Sequence, residues 1–271
     1  MVTVNTCKTQ DFEMDYIKFG TGDKTFVIIP GLSVQSVMGA AEAVAEEYKV
    51  MDAEFTTYLL DRRKEVPDKY TVHDMAEDTV KVLQELGLKD IYMFGASQGG
   101  MIAMDIAINH PDMIKKLVLG STSSRVHPKQ LNIIEEWIGY AKAGDRQSLY
   151  LSFGKKLYPA ETFDQYRDYF IETSKTVTDA ELKKFIILAE SIRDYDLRDK
   201  VKEIKCPTLA IGAYDDNVLD SDAIMEIAQN LDFRSDFKLF MYGKYGHAAY
   251  DTAPDYRQRI FEFMTQGEDY V

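Results

Sequence analysis

The chain has 271 residues, with 45 acidic and 32 basic side chains and a formal net charge of −13. This acidity argues against nucleic acid and anionic membranes as partners, because both need a cationic face. No apolar run approaches the roughly 20 residues of a membrane span, and the N-terminal residues lack a basic-then-apolar signal-peptide layout. Cys7 and Cys206 are the only cysteines, which excludes a disulfide framework and leads us to expect a cytoplasmic protein.

Short apolar runs alternate with helical segments through most of the chain. A continuous apolar run bounded by turn residues is typical of a strand buried on both faces. Strands that alternate with helices predict βαβ units and a mainly parallel sheet. Strands are predicted at 25–29, 55–60, 91–96, 116–120, 208–212 and 237–241, with looser alternation over 12–19. Helices are predicted at 36–53, 71–86, 98–109, 220–231 and 254–264.

The pattern changes in the middle of the chain. No run within 123–196 resembles a buried strand, and the segment is too long for a loop in a compact domain. We therefore expect an inserted helical subdomain at 123–196 and a core formed by 1–122 and 197–271. The predicted helices of the insertion are 132–143, 146–157, 162–173 and 178–193, the last opened by a capping box.

The sequence Gly95-Ala96-Ser97-Gln98-Gly99 joins a predicted strand to a predicted helix. Gly-x-Ser-x-Gly in this setting is the pattern of a nucleophile elbow, in which a strained turn exposes the serine hydroxyl. The motif alone is weak, because glycine and serine are common in loops. Its placement after a strand and before a helix predicts that Ser97 is a nucleophile.

A serine hydroxyl needs a base to accept its proton. Of the four histidines, His110 lies at a helix end, where a capping role is favoured, and His73 lies in a polar helix start. His127 begins the insertion and could face a pocket. His247 follows the last predicted strand in a glycine-bearing loop, so it is the predicted base for Ser97.

The acid that orients the histidine is sought after the preceding strand. Asp215 and Asp216 are adjacent there, just beyond Ile211. Asp215 is the first choice and Asp216 the alternative. The order Ser97, Asp, His247 is that of one class of triad enzymes, and each residue follows a strand, so all should meet at one edge of the sheet.

Two backbone N–H groups are expected to form an oxyanion hole. One belongs to Gln98, directly after the nucleophile. The other is expected from the loop after the strand at 25–29, with Leu32 as the donor and Gly31 permitting the turn. Removing one such donor typically raises the barrier by about 3 kcal/mol.

The segment 95–103, with His110-Pro111 and the run 117–119, resembles the capped branch of the α/β-hydrolase superfamily, which contains enol-lactonases, esterases and C–C bond hydrolases. The resemblance implies an eight-stranded, mainly parallel sheet flanked by helices, with 123–196 as a cap over the active site. The glycine-rich Asp-x-Arg-Gly-x-Gly-x-Ser loop of many members is replaced at 61–67 by Asp-Arg-Arg-Lys-Glu-Val-Pro. We expect this loop to be remote from the triad.

Several side chains are expected to line a substrate pocket: Ser33, Trp137, Tyr140 and Val218. Aromatic residues in the insertion would roof an apolar pocket, although any one of them is more often part of the insertion's own core. The expected activity is hydrolysis of a small ester, lactone or thioester. C–C bond cleavage or perhydrolysis would use the same residues, and a binder that senses a ligand without turnover is the alternative from another class.

No cofactor and no metal site are expected, because no cysteine or histidine spacing matches a structural zinc site. The expected partner is a small acyl substrate, in a monomer or a homodimer. The sequence does not identify that substrate.

Overall fold

One eight-stranded sheet organises the computed structural model, which describes residues 2–266. The order across the sheet is β1-β2-β4-β3-β5-β6-β7-β8. β1 and β2 pair antiparallel, as do β2 and β4, and all later neighbours pair in parallel. The predicted mainly parallel eight-stranded sheet is confirmed. The strands are β1 (Val4–Lys8), β2 (Glu13–Phe19), β3 (Lys24–Ile29), β4 (Phe55–Arg63), β5 (Ile91–Ala96), β6 (Ile114–Gly120), β7 (Thr208–Ala213) and β8 (Phe237–Tyr242).

Helices cover both faces of the sheet. None of those in residues 2–266 is long and apolar enough to cross a membrane. The core helices are α1 (Ala41–Glu47), α2 (Val72–Glu85), α3 (Gln98–Asn109), α8 (Ser221–Leu231), α9 (Ala249–Thr252) and α10 (Tyr256–Thr265). Between β6 and β7 lie α4 (Pro128–Lys142), α5 (Arg146–Leu157), α6 (Ala160–Ser174) and α7 (Asp179–Glu190).

The four inserted helices match the predicted number. α7 begins at the predicted capping box, in which the Thr178 hydroxyl accepts from the Glu181 N–H and the Glu181 carboxylate accepts from the Thr178 N–H. The division into a core of 1–122 and 197–271 and a cap of 123–196 stays a prediction. Within it, residues 1 and 267–271 lie outside the described part of the chain.

Two apolar clusters form on opposite sides of the sheet, because side chains alternate along each strand. On β3, Val27 and Ile29 face the cluster that includes α2, α3, α8 and the insertion, whereas Phe26 and Ile28 face the one that includes α10. Each fully buried side chain of this size contributes about 1.5–3 kcal/mol. The core therefore fixes the strand ends, where the polar loops begin.

Three local features differ from the sequence expectations. Strand β1 was not predicted, since only Cys7 of its five residues is buried and no apolar alternation marks it. The helix predicted over 36–53 is divided into a 3₁₀ turn at 37–40, α1 and a second 3₁₀ turn at 49–51. β4 extends to Arg63, so Asp61 and Arg62 belong to a strand and not to a loop.

Gly99 packs so closely against the backbone after β3 that no larger residue fits at this position. A Cβ at Gly99 would lie 2.1 Å from the Ile29 carbonyl oxygen and 2.5 Å from that of Pro30, and neither backbone atom can move freely. We therefore expect Gly99→Ala to lower the free energy of unfolding by about 3 kcal/mol or more, measured by urea denaturation. Gly39→Ala is the matched control, because nothing lies within 4 Å of its added methyl group. Equal stability of the two variants would contradict the close approach.

Candidate active site

Ser97 lies at the sharp turn between β5 and α3. Its backbone has φ 52° and ψ −122°, a conformation that L-residues rarely adopt and that the surrounding structure must enforce. The Ser97 N–H donates to the Gly120 carbonyl at 2.8 Å, and the Thr122 hydroxyl donates to the Ser97 carbonyl at 2.7 Å. These bonds hold the turn from the neighbouring strand, and the Ser97 side chain is left half-buried at the carboxyl edge of the sheet.

His247 is the histidine that reaches Ser97. It lies in the loop after β8, is only 2% exposed, and its Nε2 lies 3.0 Å from Ser97 Oγ. Gly246, with φ 64°, supplies the left-handed turn that brings His247 back towards the sheet. The structure thus brings together two residues that are 150 positions apart in the chain.

The second imidazole nitrogen contacts Asp216. His247 Nδ1 lies 2.8 Å from Asp216 Oδ2, and Asp216 is 5% exposed. The other carboxylate oxygen accepts the N–H groups of Val218 at 2.7 Å and Leu219 at 2.9 Å. Burial alone would raise the pKa of Asp216, but the His247 charge and these hydrogen bonds outweigh it and lower the pKa below its usual range. Asp216 is therefore held as a carboxylate.

This geometry contradicts the first choice of Asp215 as the acid that contacts His247. Its Oδ1 accepts the N–H of Gly246 at 3.0 Å, so it binds the backbone of the loop that carries His247 and not the imidazole. Asp216 contacts the imidazole because successive residues of the turn after β7 point in different directions. Asp215 instead fixes the position of the loop before His247.

The loop after β3 passes directly beside Ser97. A Cβ added to Gly31 would lie 3.2 Å from Ser97 Cβ and 3.8 Å from its Oγ. Within residues 2–266, the N–H groups of Leu32 and Gln98 have no hydrogen-bond acceptor. Gln98 is the first residue of α3, so its N–H is one of the groups that a helix start leaves unpaired. Both expected donors are thus available to a ligand.

Arg62 contributes to this loop, contrary to the expectation that 61–67 is remote from the triad. Its Nη2 donates to the Pro30 carbonyl at 2.7 Å, and the side chain is buried. The neighbouring Asp61 carboxylate accepts from the Ser36 hydroxyl. Together these bonds hold both ends of the segment that contains Leu32. The Asp-Arg-Arg run carried no sequence signal for this role, since it resembled a charged surface loop.

The inserted helices α4–α7 are hydrogen-bonded to three segments that carry candidate site residues. The Gln98 side-chain Nε2 donates to the Leu188 carbonyl of α7 at 2.7 Å. The Ala248 N–H donates to the Leu157 carbonyl at the end of α5, at 3.0 Å. In the loop after β3, Gln35 accepts from the Tyr150 hydroxyl at 2.9 Å. The side chain of Gln98 therefore has a structural function in addition to its backbone N–H.

The predicted pocket residues lie in different settings. The Ser33 hydroxyl donates to the Gln35 carbonyl, and buried Val218 donates its N–H to Asp216. Trp137 donates to Ser152 on α5 and its ring lies 4.4 Å from that of Phe153, so it belongs to the packing between α4 and α5.

Tyr140 packs at the edge of the same apolar cluster. No hydrogen bond in the described part of the chain links Trp137 or Tyr140 to Ser97. Pocket roles for Ser33, Trp137, Tyr140 and Val218 stay predictions.

The fold and the sequence together establish the class of the protein. A family model described as the alpha/beta hydrolase fold matches residues 26–254, most of the chain. The chain therefore belongs to the α/β-hydrolase family and is a hydrolase enzyme.

Curated and solved relatives extend the comparison at low sequence identity. "Putative carbamate hydrolase RutD" of Rhizobium rhizogenes is 23% identical over 250 residues, which cover 89% of this chain and 92% of the relative. MGS-M2, an alpha/beta hydrolase enzyme from a Medee basin deep-sea metagenome library, has a TM-score of 0.85 and 21% identity over 97% of this chain and 98% of its own. The enol-lactonase of Burkholderia xenovorans LB400 has a TM-score of 0.82 and 18% identity, covering 97% and 100%. The structural likeness shows the fold alone.

Proposed function

We propose that the protein is a serine hydrolase that cleaves a small ester, lactone or thioester through an acyl-enzyme on Ser97. The observation that carries the proposal is one continuous chain of hydrogen bonds, from Ser97 Oγ to His247 Nε2 at 3.0 Å and from His247 Nδ1 to Asp216 at 2.8 Å. A carboxylate at Nδ1 favours the tautomer with the proton on that nitrogen. Nε2 is then free to accept the hydroxyl proton of Ser97.

The reaction follows from this arrangement. As Ser97 Oγ attacks the carbonyl carbon, its proton passes to His247 Nε2, and the imidazolium is stabilised by Asp216. The N–H groups of Leu32 and Gln98 donate to the oxyanion. His247 next returns the proton to the leaving alcohol or thiol. Water, deprotonated by His247, then attacks the acyl-enzyme, and the acid is released as His247 returns that proton to Ser97 Oγ.

The insertion is proposed to act as a cap over this site. Its contacts through Leu157, Tyr150 and Leu188 reach the loops of the base, the oxyanion donor and the nucleophile. A cover that excludes water strengthens the electrostatic interactions beneath it. The names of two relatives, "Putative carbamate hydrolase RutD" and an enol-lactonase, support a substrate attacked at an acyl carbon.

Turnover of p-nitrophenyl acetate and p-nitrophenyl butyrate tests the proposed activity. We expect continuous release of p-nitrophenolate over many equivalents of enzyme, because water can regenerate Ser97. The assay follows absorbance at neutral pH, with the heat-unfolded protein as the background rate. A single stoichiometric burst with no further release would contradict the hydrolase proposal and favour a ligand sensor.

A further inference from the structure

A second cluster of polar side chains lies between α2 and α3, away from the triad. His73 and Glu77 are four residues apart and therefore share one face of α2. Asp105 faces them from α3. One ligand atom of each of these three residues lies within 4.8 Å of the others. The fold thus gathers one imidazole nitrogen and two carboxylate oxygens within 4.8 Å of one another.

The packing fixes the positions of these groups. Asp105 is only 3% exposed, and its Oδ1 lies 2.9 Å from His73 Nδ1 and accepts the Asn109 side-chain N–H at 2.9 Å. Glu77 Oε1 lies 2.8 Å from His110 Nε2. His110 caps the end of α3 as expected, its backbone N–H donating to the Ile106 carbonyl, and its side chain in addition orients a carboxylate of the cluster. His73 and Glu77 remain partly exposed, so solutes can reach the cluster.

The surroundings favour a cation. His73 and Asp105 lie in the wall of an open cleft of about 460 Å³ between the 68–73 segment, the end of α7 and the residues that follow it. Five carboxylates line the cleft, against two permanent cations. The carboxylates are Asp68, Asp105, Glu190, Asp194 and Asp196, and the cations are Lys69 and Arg193. Excess negative charge in a concave surface raises the local concentration of cations.

We propose that His73, Glu77 and Asp105 form a binding site for a divalent transition metal of the zinc class, with His110 supporting Glu77. Imidazole nitrogen and carboxylate oxygen are the ligands such ions accept, and two of the three ligand residues, His73 and Asp105, line the open cleft. Binding of the metal releases to solvent the proton that lies between His73 Nδ1 and Asp105 Oδ1. Carboxylates that ligate a metal are themselves hydrogen-bonded, and His110 supplies such a bond to Glu77.

Such a site would have a structural consequence for the enzyme. A metal held by residues of α2 and α3 joins the two helices, and α3 is the helix that begins after Ser97. Binding to the folded state alone raises the melting temperature in proportion to the logarithm of metal concentration. The proposal does not depend on the reaction at Ser97.

Metal titration of the full chain tests the proposal. After treatment with a chelator and its removal, Co²⁺ is added and its visible absorption followed, and Zn²⁺ binding is measured by calorimetry. We expect one equivalent to bind, with visible cobalt bands, and a loss of affinity of at least tenfold in His73→Gln and in Glu77→Gln. Glu85→Gln is the matched control, because it makes the same change on an exposed turn of α2.

The variants separate a site from nonspecific binding. Glu85→Gln should bind Co²⁺ as the wild type does and show the same rise in melting temperature. His73→Gln changes a largely exposed side chain, so it tests ligation even if Glu77→Gln disturbs folding. Absence of saturable binding, or equal affinity in Glu77→Gln and Glu85→Gln, would overturn the proposal.

Discussion

Asp216→Asn is expected to lower kcat by about 10⁴-fold towards an activated ester while leaving the fold intact. An amide at this position can donate to His247 Nδ1, which favours the tautomer that carries the proton on Nε2. That tautomer cannot accept the hydroxyl proton of Ser97. The amide oxygen can still accept the N–H groups of Val218 and Leu219, so the turn after β7 is retained. Steady-state kinetics and the melting temperature measure both effects.

Asp215→Asn is the matched control for this substitution. The two residues are adjacent, and the change of charge is identical. The amide oxygen of the introduced asparagine can still accept the Gly246 N–H that Asp215 now accepts at 3.0 Å. We expect kcat to stay within about tenfold of the wild type. A larger loss in Asp215→Asn than in Asp216→Asn would reverse the assignment of the acid.

Ser97→Ala is expected to lower kcat by about 10⁶-fold. The variant removes the attacking oxygen, whereas the N–H groups of Leu32 and Gln98 and their contribution to binding remain. The residual rate should therefore still exceed that in water. Alanine at φ 52° is as strained as serine, so a similar melting temperature is expected.

A fluorophosphonate probe reports on the same oxygen independently of any substrate. We expect stoichiometric labelling of the wild type and of Ser148→Ala, whose serine lies on the insertion. Ser97→Ala should not be labelled. Labelling that persists in Ser97→Ala would place the reactive group elsewhere in the chain.

The sequence predicts where the site lies better than it predicts which residues form it. Buried strands are recognisable from continuous apolar runs, so the residues that follow them can be assigned to one edge of the sheet. Asp215 and Asp216 both follow β7, and composition cannot distinguish them. The direction of each carboxylate depends on the turn, in which Asp216 accepts two N–H groups and Asp215 accepts one from another loop.

The local sequence pattern also gives no indication of contacts between segments that are distant in the chain. Arg62 lies in a charged run, yet it extends β4 and bonds to Pro30. β1 is an edge strand with one buried residue, so apolar periodicity gives no signal for it. In each case pairing with a remote segment decides the local structure, and such pairing cannot be read from neighbouring residues alone.

The hydrogen bond from the Ala248 N–H to the Leu157 carbonyl matters when the insertion is exchanged for that of a related hydrolase. The loop of His247 is held from one side by Asp215 and from the other by the last turn of α5. A chimaera that replaces the insertion to alter substrate preference must therefore place a backbone carbonyl oxygen within hydrogen-bond distance of the Ala248 N–H, where that of Leu157 now lies. Without it, one of the two anchors of the histidine loop is lost, and if His247 is the base as proposed, we expect the exchanged enzyme to turn over every substrate more slowly.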